Sequence, residues 1–269
     1  MSCETGTCWN DFQLRIRRES FDEQGGLRAD FLRHGILAGA MHCPQFQLGR
    51  LIWRRLASDP FGSLLLARVQ ASPVGAPVLL PQHHLWSTVD LQTLLYVQLW
   101  KSLLGVDAAG EVPFHFVDFG GGYGLFARAI AMLGQDNTVD VVDLPVVSRV
   151  QELYHAETLN SQQRARISYL DGVEEVQKGH LFHSTYALSE TTLPARERLV
   201  RDLVAGSSRF LIVYQDTFRD TLTGGPIDNH AWFNGPFREL VPAHRFVGVA
   251  PICEGSHVIC GANPDRSWW

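Results

Sequence analysis

At 269 residues and 45% hydrophobic content, the chain can form one large domain or one domain with an elaborated end. A net charge of −5 with no long basic run argues against nucleic acid as a partner. The five cysteines (Cys3, Cys8, Cys43, Cys253, Cys260) form no C-x-x-C pair, the start is polar and no apolar run reaches membrane-spanning length. These features fit a cytoplasmic protein with no membrane partner.

The first hundred or so residues read as mainly helical. Arg15, Arg17 and Arg18 read as a solvated helix face. His42 and Cys43 have no second spaced pair, so they carry little weight as metal ligands. Shorter helices are expected over 49–56 and 61–69, parted by Ser58-Asp59-Pro60. A turn-rich connector over 71–77 leads into an extended segment, 78–84. His83, His84 and Trp86 read as an amphipathic linker or as lining for an acceptor pocket. The longest helix is expected over 87–104. There Ser87 caps, Asp90 sits three residues later, Leu91, Leu94, Leu95, Leu99 and Leu103 form a 3.6-period stripe, and Gly105 is a stop.

From Pro113 onward strands and helices alternate, which implies a parallel sheet with crossover helices. Strands are expected over 114–118, 139–143, 167–170, 181–186 and 209–214. Helices are expected over 124–133, 146–157 and 194–205, the last with Pro194 in its first turn and Gly206 beyond its end. Two more strands, 245–250 and 256–261, are bridged by a turn at Glu254-Gly255. The run Val117-Asp118-Phe119-Gly120-Gly121-Gly122-Tyr123-Gly124 thus joins a buried strand to a helix, where backbone N–H groups and a helix N-terminus face one ligand. Asp143 ends the next strand about twenty residues on, where an acidic side chain can grip a ribose.

Glycine spacing leaves the ligand open. Counted from Gly120 the dinucleotide fingerprint fails at Leu125; counted from Gly122 its alanine variant is met at Ala127. A carboxylate at Asp118 would repel a pyrophosphate and suits a ligand carrying an amino group. The fuller D-x-G-x-G-x-G pattern resembles motif I of class I S-adenosylmethionine (SAM) methyltransferases, with Asp143 at their ribose-binding acidic position. The Gly-Gly-Gly-Tyr-Gly run, Asp143-Leu144-Pro145 and the segment 184–190 resemble a bacterial family of sugar O-methyltransferases. That family usually has glutamate where this chain has Asp118, and it is longer at the N-terminus.

The resemblance covers residues 110–262 and implies an α/β fold: a Rossmann-like class I methyltransferase sheet of about seven strands with a C-terminal hairpin and an N-terminal helical region. It implies a division into an N-terminal helical region, 1–108, covering the acceptor or forming a homodimer, and a SAM-binding domain, 109–269. SAM is the implied cofactor, on Asp118 (near the methionine moiety), Gly120, Gly122, Tyr123, Gly124, Asp143, Leu144, Asp171, Gly172 and Tyr186. The implied reaction is methylation of a small molecule, O-methylation of a sugar or a glycosylated natural product first and N-methylation second. A nicotinamide-dependent oxidoreductase and a non-catalytic protein of the same fold are the other readings.

A hydroxyl acceptor calls for a positioned base. Ligands of an open α/β sheet bind outside the carboxyl ends of its strands. After the fourth strand, Glu190 reads as a base or as a charge at the following helix N-terminus. After the fifth, His230 and Asp216 are base candidates in a glycine-containing loop. Asp216 with Asp228 and Asn229 offers hard oxygens for a magnesium ion at a poorly matching spacing, and no metal is expected.

Overall fold

The computed structural model describes residues 7–33, 35–41, 45–220, 223–253 and 255–266. Cys3, His42, Cys43 and Glu254 lie outside the described residues. Four helices open the described part of the chain: α1 (Thr7–Ser20), α2 (Gly35–Met41), α3 (Phe46–Ser58) and α4 (Pro60–Arg68). Asp59 parts the last two, its carboxylate accepting from the Gly62 N–H at 2.7 Å while Pro60 starts the new helix. The segment expected to be extended, 78–84, is strand at both ends but breaks into a hairpin, β1 (Leu79–Leu80) and β2 (His83–Ser87). Pro81 and Gln82 form the turn between these two antiparallel strands.

Helix α5 (Thr88–Leu104) starts on a capping box: the Asp90 N–H donates to Ser87 Oγ, and the Ser87 N–H donates to Asp90 Oδ2, each at 3.1 Å. Gly105, at φ 69°, closes it in the left-handed conformation. The alternating part follows as β3 (His115–Phe119), α6 (Leu125–Leu133), β4 (Thr138–Val142), α7 (Pro145–Thr158), α8 (Ser161–Arg164), β5 (Ile167–Leu170), β6 (Leu181–Thr185), α9 (Leu193–Leu199) and β7 (Arg209–Gln215). A second hairpin, β8 (Thr217–Arg219) and β9 (Pro226–Asp228), leads to α10 (Asn229–Asn234) and α11 (Pro236–Leu240). Strands β10 (Arg245–Cys253) and β11 (Ser256–Ala262) follow, and a 3-10 turn, Pro264–Arg266, ends the described chain.

Seven strands form one sheet in the order β10-β11-β7-β6-β3-β4-β5. Strands β3 to β7 are mutually parallel where they pair, whereas β11 runs antiparallel to both β7 and β10. The terminal hairpin therefore inserts its second strand next to the parallel set. Both faces are covered, which explains the nearly continuous apolar strands. Phe116, Val139, Val141, Leu181, Leu211, Val213 and Val258 pack with α3–α6 in one core. Val117, Phe182, Phe210, Ile212 and Ile259 pack with α9–α11 in another.

Two expectations change in detail. The helix expected over 194–205 is α9 followed by a π-helical turn, Val200–Val204. The wider turn keeps Leu199, Val200, Leu203 and Val204 all buried. The stretch read as a loop after the fifth strand contains β8, β9 and α10, so His230 lies on a helix. No helix among the described residues is long and apolar enough to cross a membrane.

Candidate active site

Strands β3 and β4 end side by side, and the Gly120 N–H donates to the Val142 carbonyl at 3.0 Å. The glycine turn therefore begins beside Asp143. Gly120 has φ +67°, and a Cβ there would collide with the Ala187 methyl in the loop after β6. Only glycine lets the two strand-end loops approach so closely. Asp118, next to last in β3, is 1% exposed, and its Oδ2 is buried without a hydrogen-bond partner. Such an orphaned acceptor marks a place where a donor is missing.

Asp143 is fixed from two sides. Its Oδ1 accepts from the Leu144 N–H at 2.7 Å and its Oδ2 from the Gln151 amide at 2.9 Å. The same amide nitrogen donates to the Gly122 carbonyl at 2.9 Å, tying the glycine turn to the ribose-binding candidate. Burial raises the Asp118 carboxyl to about 8, with repulsion from Asp143 adding to it. Burial raises Asp143 to about 7, against the lowering effect of the Leu144 N–H and the Gln151 amide.

His155 supports the turn from α7, its Nε2 lying 2.7 Å from the Gly124 carbonyl and its Nδ1 2.6 Å from the Tyr169 hydroxyl. Burial pushes this imidazole down to about 4, so near neutrality it is uncharged. Nε2–H then donates to Gly124 and Nδ1 accepts from Tyr169. Tyr123 is 3% exposed, lies edge-on to Phe31 and Tyr154, and shares a side-chain hydrogen bond with Ser87. Its ring thus packs into the interior, and the turn offers a ligand its backbone at this position. Leu144 packs partly buried against the same core. Asp171 is exposed just after β5, with Gly172 buried beside it.

The loop after β6 is held under strain. Tyr186 has φ +64°, which costs a non-glycine residue about 1–3 kcal/mol. Its N–H donates to the Val213 carbonyl at 2.8 Å, and its carbonyl accepts from the Ser189 N–H at 2.8 Å and the Ser189 hydroxyl at 2.6 Å. Its own hydroxyl donates to Ser256 Oγ at 3.1 Å, across to β11. Glu190 is half-buried, accepts from the Gln215 amide at 3.2 Å, and is raised by burial.

Behind this loop sits Arg196, fully buried. Its guanidinium donates to Asn229 Oδ1 at 2.8 Å, the Ser189 carbonyl at 2.5 Å and the Thr191 carbonyl at 2.9 Å, and it lies over the Trp232 ring at 4.9 Å. Asn229 in turn donates to the Gln215 carbonyl at 2.9 Å.

At the end of β7 the exposed Asp216 Oδ1 is hydrogen-bonded to His257 Nε2 on β11. His257 stacks on Tyr214, with ring centres 5.3 Å apart, and its ring centre is 5.1 Å from that of His230. His230 Nδ1 is 3.3 Å from the Tyr214 hydroxyl. The two sequence candidates, Asp216 and His230, thus meet around a third residue, His257. Asp228 is engaged elsewhere: its carboxylate caps α10 through the Ala231 N–H at 2.8 Å. His83 is taken up by stacking on Trp53, with ring centres 4.0 Å apart. Sequence reasoning missed Gln151, His155 and His257. Gln151 and His155 carried a weak signal, four residues apart on the helix that follows Asp143. His257 carried none, because only the insertion of β11 beside β7 brings it to Asp216.

No protein-family model and no curated protein sequence matches the chain. Among solved structures, it resembles the magnesium protoporphyrin IX methyltransferase of Synechocystis PCC 6803, solved with bound SAM, at TM-score 0.50 and 9% identity over 80% of this chain and 91% of that one. The mitomycin 7-O-methyltransferase MmcR matches at TM-score 0.45 and 15% identity, covering 85% of this chain and 76% of that one. An O-methyltransferase family protein from Burkholderia thailandensis matches at TM-score 0.45 and 13% identity, covering 65% of this chain and 57% of the other, less than two thirds of its length. The fold is the Rossmann-like fold of the methyltransferases.

Proposed function

We propose that the chain is a SAM-dependent methyltransferase and that it O-methylates a small hydroxylated molecule such as a sugar or a glycosylated natural product. The observation that carries this reading is the orphaned, buried Asp118 carboxyl beside Asp143 at the glycine turn. Two buried acidic groups whose ionisation an adjacent cation would favour and an adjacent anion oppose suit a ligand with an ammonium at one end and a ribose at the other, rather than a pyrophosphate. Asp118 receives the ammonium. Asp143, oriented by Gln151, takes the ribose hydroxyls, while Gly120, Gly122, Tyr123 and Gly124 present backbone. Leu144, Asp171, Gly172 and Tyr186 line the remainder.

When bound, the cofactor supplies a methyl group on a sulfonium, an electrophile open to in-line displacement. The chain's own task is to position the acceptor and take its hydroxyl proton. Glu190, His230 and the Asp216–His257 pair lie along the carboxyl ends of β6 and β7. The pair alone couples an imidazole to an orienting carboxylate, so we assign it the proton.

Titration with S-adenosylhomocysteine (SAH), which keeps the ammonium and the ribose, tests the cofactor assignment. The free Asp118 carboxyl holds its proton up to about pH 8, and binding an ammonium requires it ionised. Binding therefore expels a proton, and affinity should climb from pH 6 to pH 8. A flat profile, or binding of NAD in place of SAH, would sink the reading. At a fixed pH near 8, Asp143→Ala should weaken SAH binding about tenfold or more, or about 1.4 kcal/mol, through loss of a charge-assisted hydrogen-bond pair. Unchanged affinity removes Asp143 from the ribose.

A further inference from the structure

We propose that Met41 forms a wall of the cofactor site and that α1 and α2 strap that site, with Glu19 as the latch; this rests on the cofactor reading above. The two helices share one core with the cofactor turn. Ile16 from α1 and Leu37 from α2 are fully buried with Tyr123, Leu125, Val146 and Val147, and Met41 and Leu144 pack partly buried against them. These are residues of the glycine turn, the helix it opens and the helix after Asp143. At the end of α2, the Met41 sulfur comes within 3.7 Å of where a Cβ on Gly122 would stand, and the Met41 Cγ within 3.9 Å. Met41 thus stands against the side-chain face of Gly122 in the glycine turn.

The strap is held by one carboxylate. Glu19, near the end of α1, accepts from the Ile36 N–H at 2.7 Å, an end-group donor that α2 itself leaves unpaired. Arg15 at 3.0 Å and Arg18 at 3.1 Å hold the carboxylate in place. The Arg15 guanidinium, opposed by burial and joined by Arg18 and the Ile36 N–H, brings Glu19 down to about 2, so it is charged throughout the physiological range. Gly35, at φ +77°, leaves no room for a side chain: a Cβ there would stand 2.7 Å from Glu19 Oε2. Three separate features thus serve the one junction between α1 and α2.

The test uses the full chain and SAH. Met41→Ala should weaken SAH binding about fivefold, while Met41→Leu, which keeps the volume, should bind like the parent. Glu19→Gln should speed SAH dissociation about tenfold and should raise amide exchange over residues 35–41 in the free protein. Unchanged SAH affinity in Met41→Ala overturns the wall. Unchanged exchange over 35–41 in Glu19→Gln overturns the latch. If the parent chain fails to bind SAH, the cofactor reading falls and takes the Met41 wall with it, whereas the exchange measurement still decides the latch.

Discussion

Replacing His257 with alanine, or Asp216 with asparagine, should lower turnover about a hundredfold or more while SAH affinity stays unchanged. The expectation follows from the single contact that joins them. Asp216 Oδ1 meets His257 Nε2, which fixes the ring's orientation and stabilises the imidazolium that forms when it takes a proton. Asparagine keeps the shape and one acceptor oxygen but removes the charge that stabilises that cation. The two substitutions should be strongly non-additive, since each disables the same unit. His230→Ala should cost much less, because His230 is exposed and only touches the edge of the cluster. Steady-state kinetics of the three single variants and the double variant decide the matter. Full activity in His257→Ala would remove the pair from the reaction and leave Glu190 or an amine acceptor, which needs no strong base.

Arg196→Met should destabilise the fold by about 3 kcal/mol, for a fall in Tm of roughly 6–12 °C. Methionine keeps much of the apolar stem but removes every donor. Asn229 Oδ1 and the Ser189 and Thr191 carbonyls would then be left short of partners in a buried place. Burial lowers this guanidinium to about 10, with Asp220 pulling the other way, so its charge persists at neutral pH. The loss should reach the site as well. Arg196 anchors the loop that holds Tyr186 in its strained conformation, and its partner Asn229 anchors Gln215, which donates to Glu190. Thermal denaturation and SAH titration of the same variant check both effects. A Tm within about 2 °C of the parent would show that water replaces the guanidinium at little cost.

Much of the donor half of the site was legible as a string of residues. A strand ending on Asp118, a glycine turn and a helix follow one another because each obeys a short-range rule: apolar continuity, positive φ, 3.6-residue periodicity. Asp143 was legible for the same reason, at the next strand end. Yet the chemistry of these groups was not. Whether Asp118 is ionised depends on its burial and on Asp143 beside it, and Asp143's orientation depends on Gln151, eight residues along a helix.

By itself, the sequence determined the parallel α/β pattern, the position of the glycine turn and the two acidic groups flanking it. Tertiary structure alone decided which candidates for proton transfer meet. Asp216 and His257 are 41 residues apart in the chain and touch because β11 pairs antiparallel with β7. Arg196 likewise gathers Ser189, Thr191 and Asn229, and Glu19 reaches the Ile36 N–H, 17 residues further along the chain. The physical reason is one of range. Turn geometry and helical period act over a few residues and so show in a local window. Sheet register and buried hydrogen bonds arise from packing among distant segments, and no local pattern encodes them.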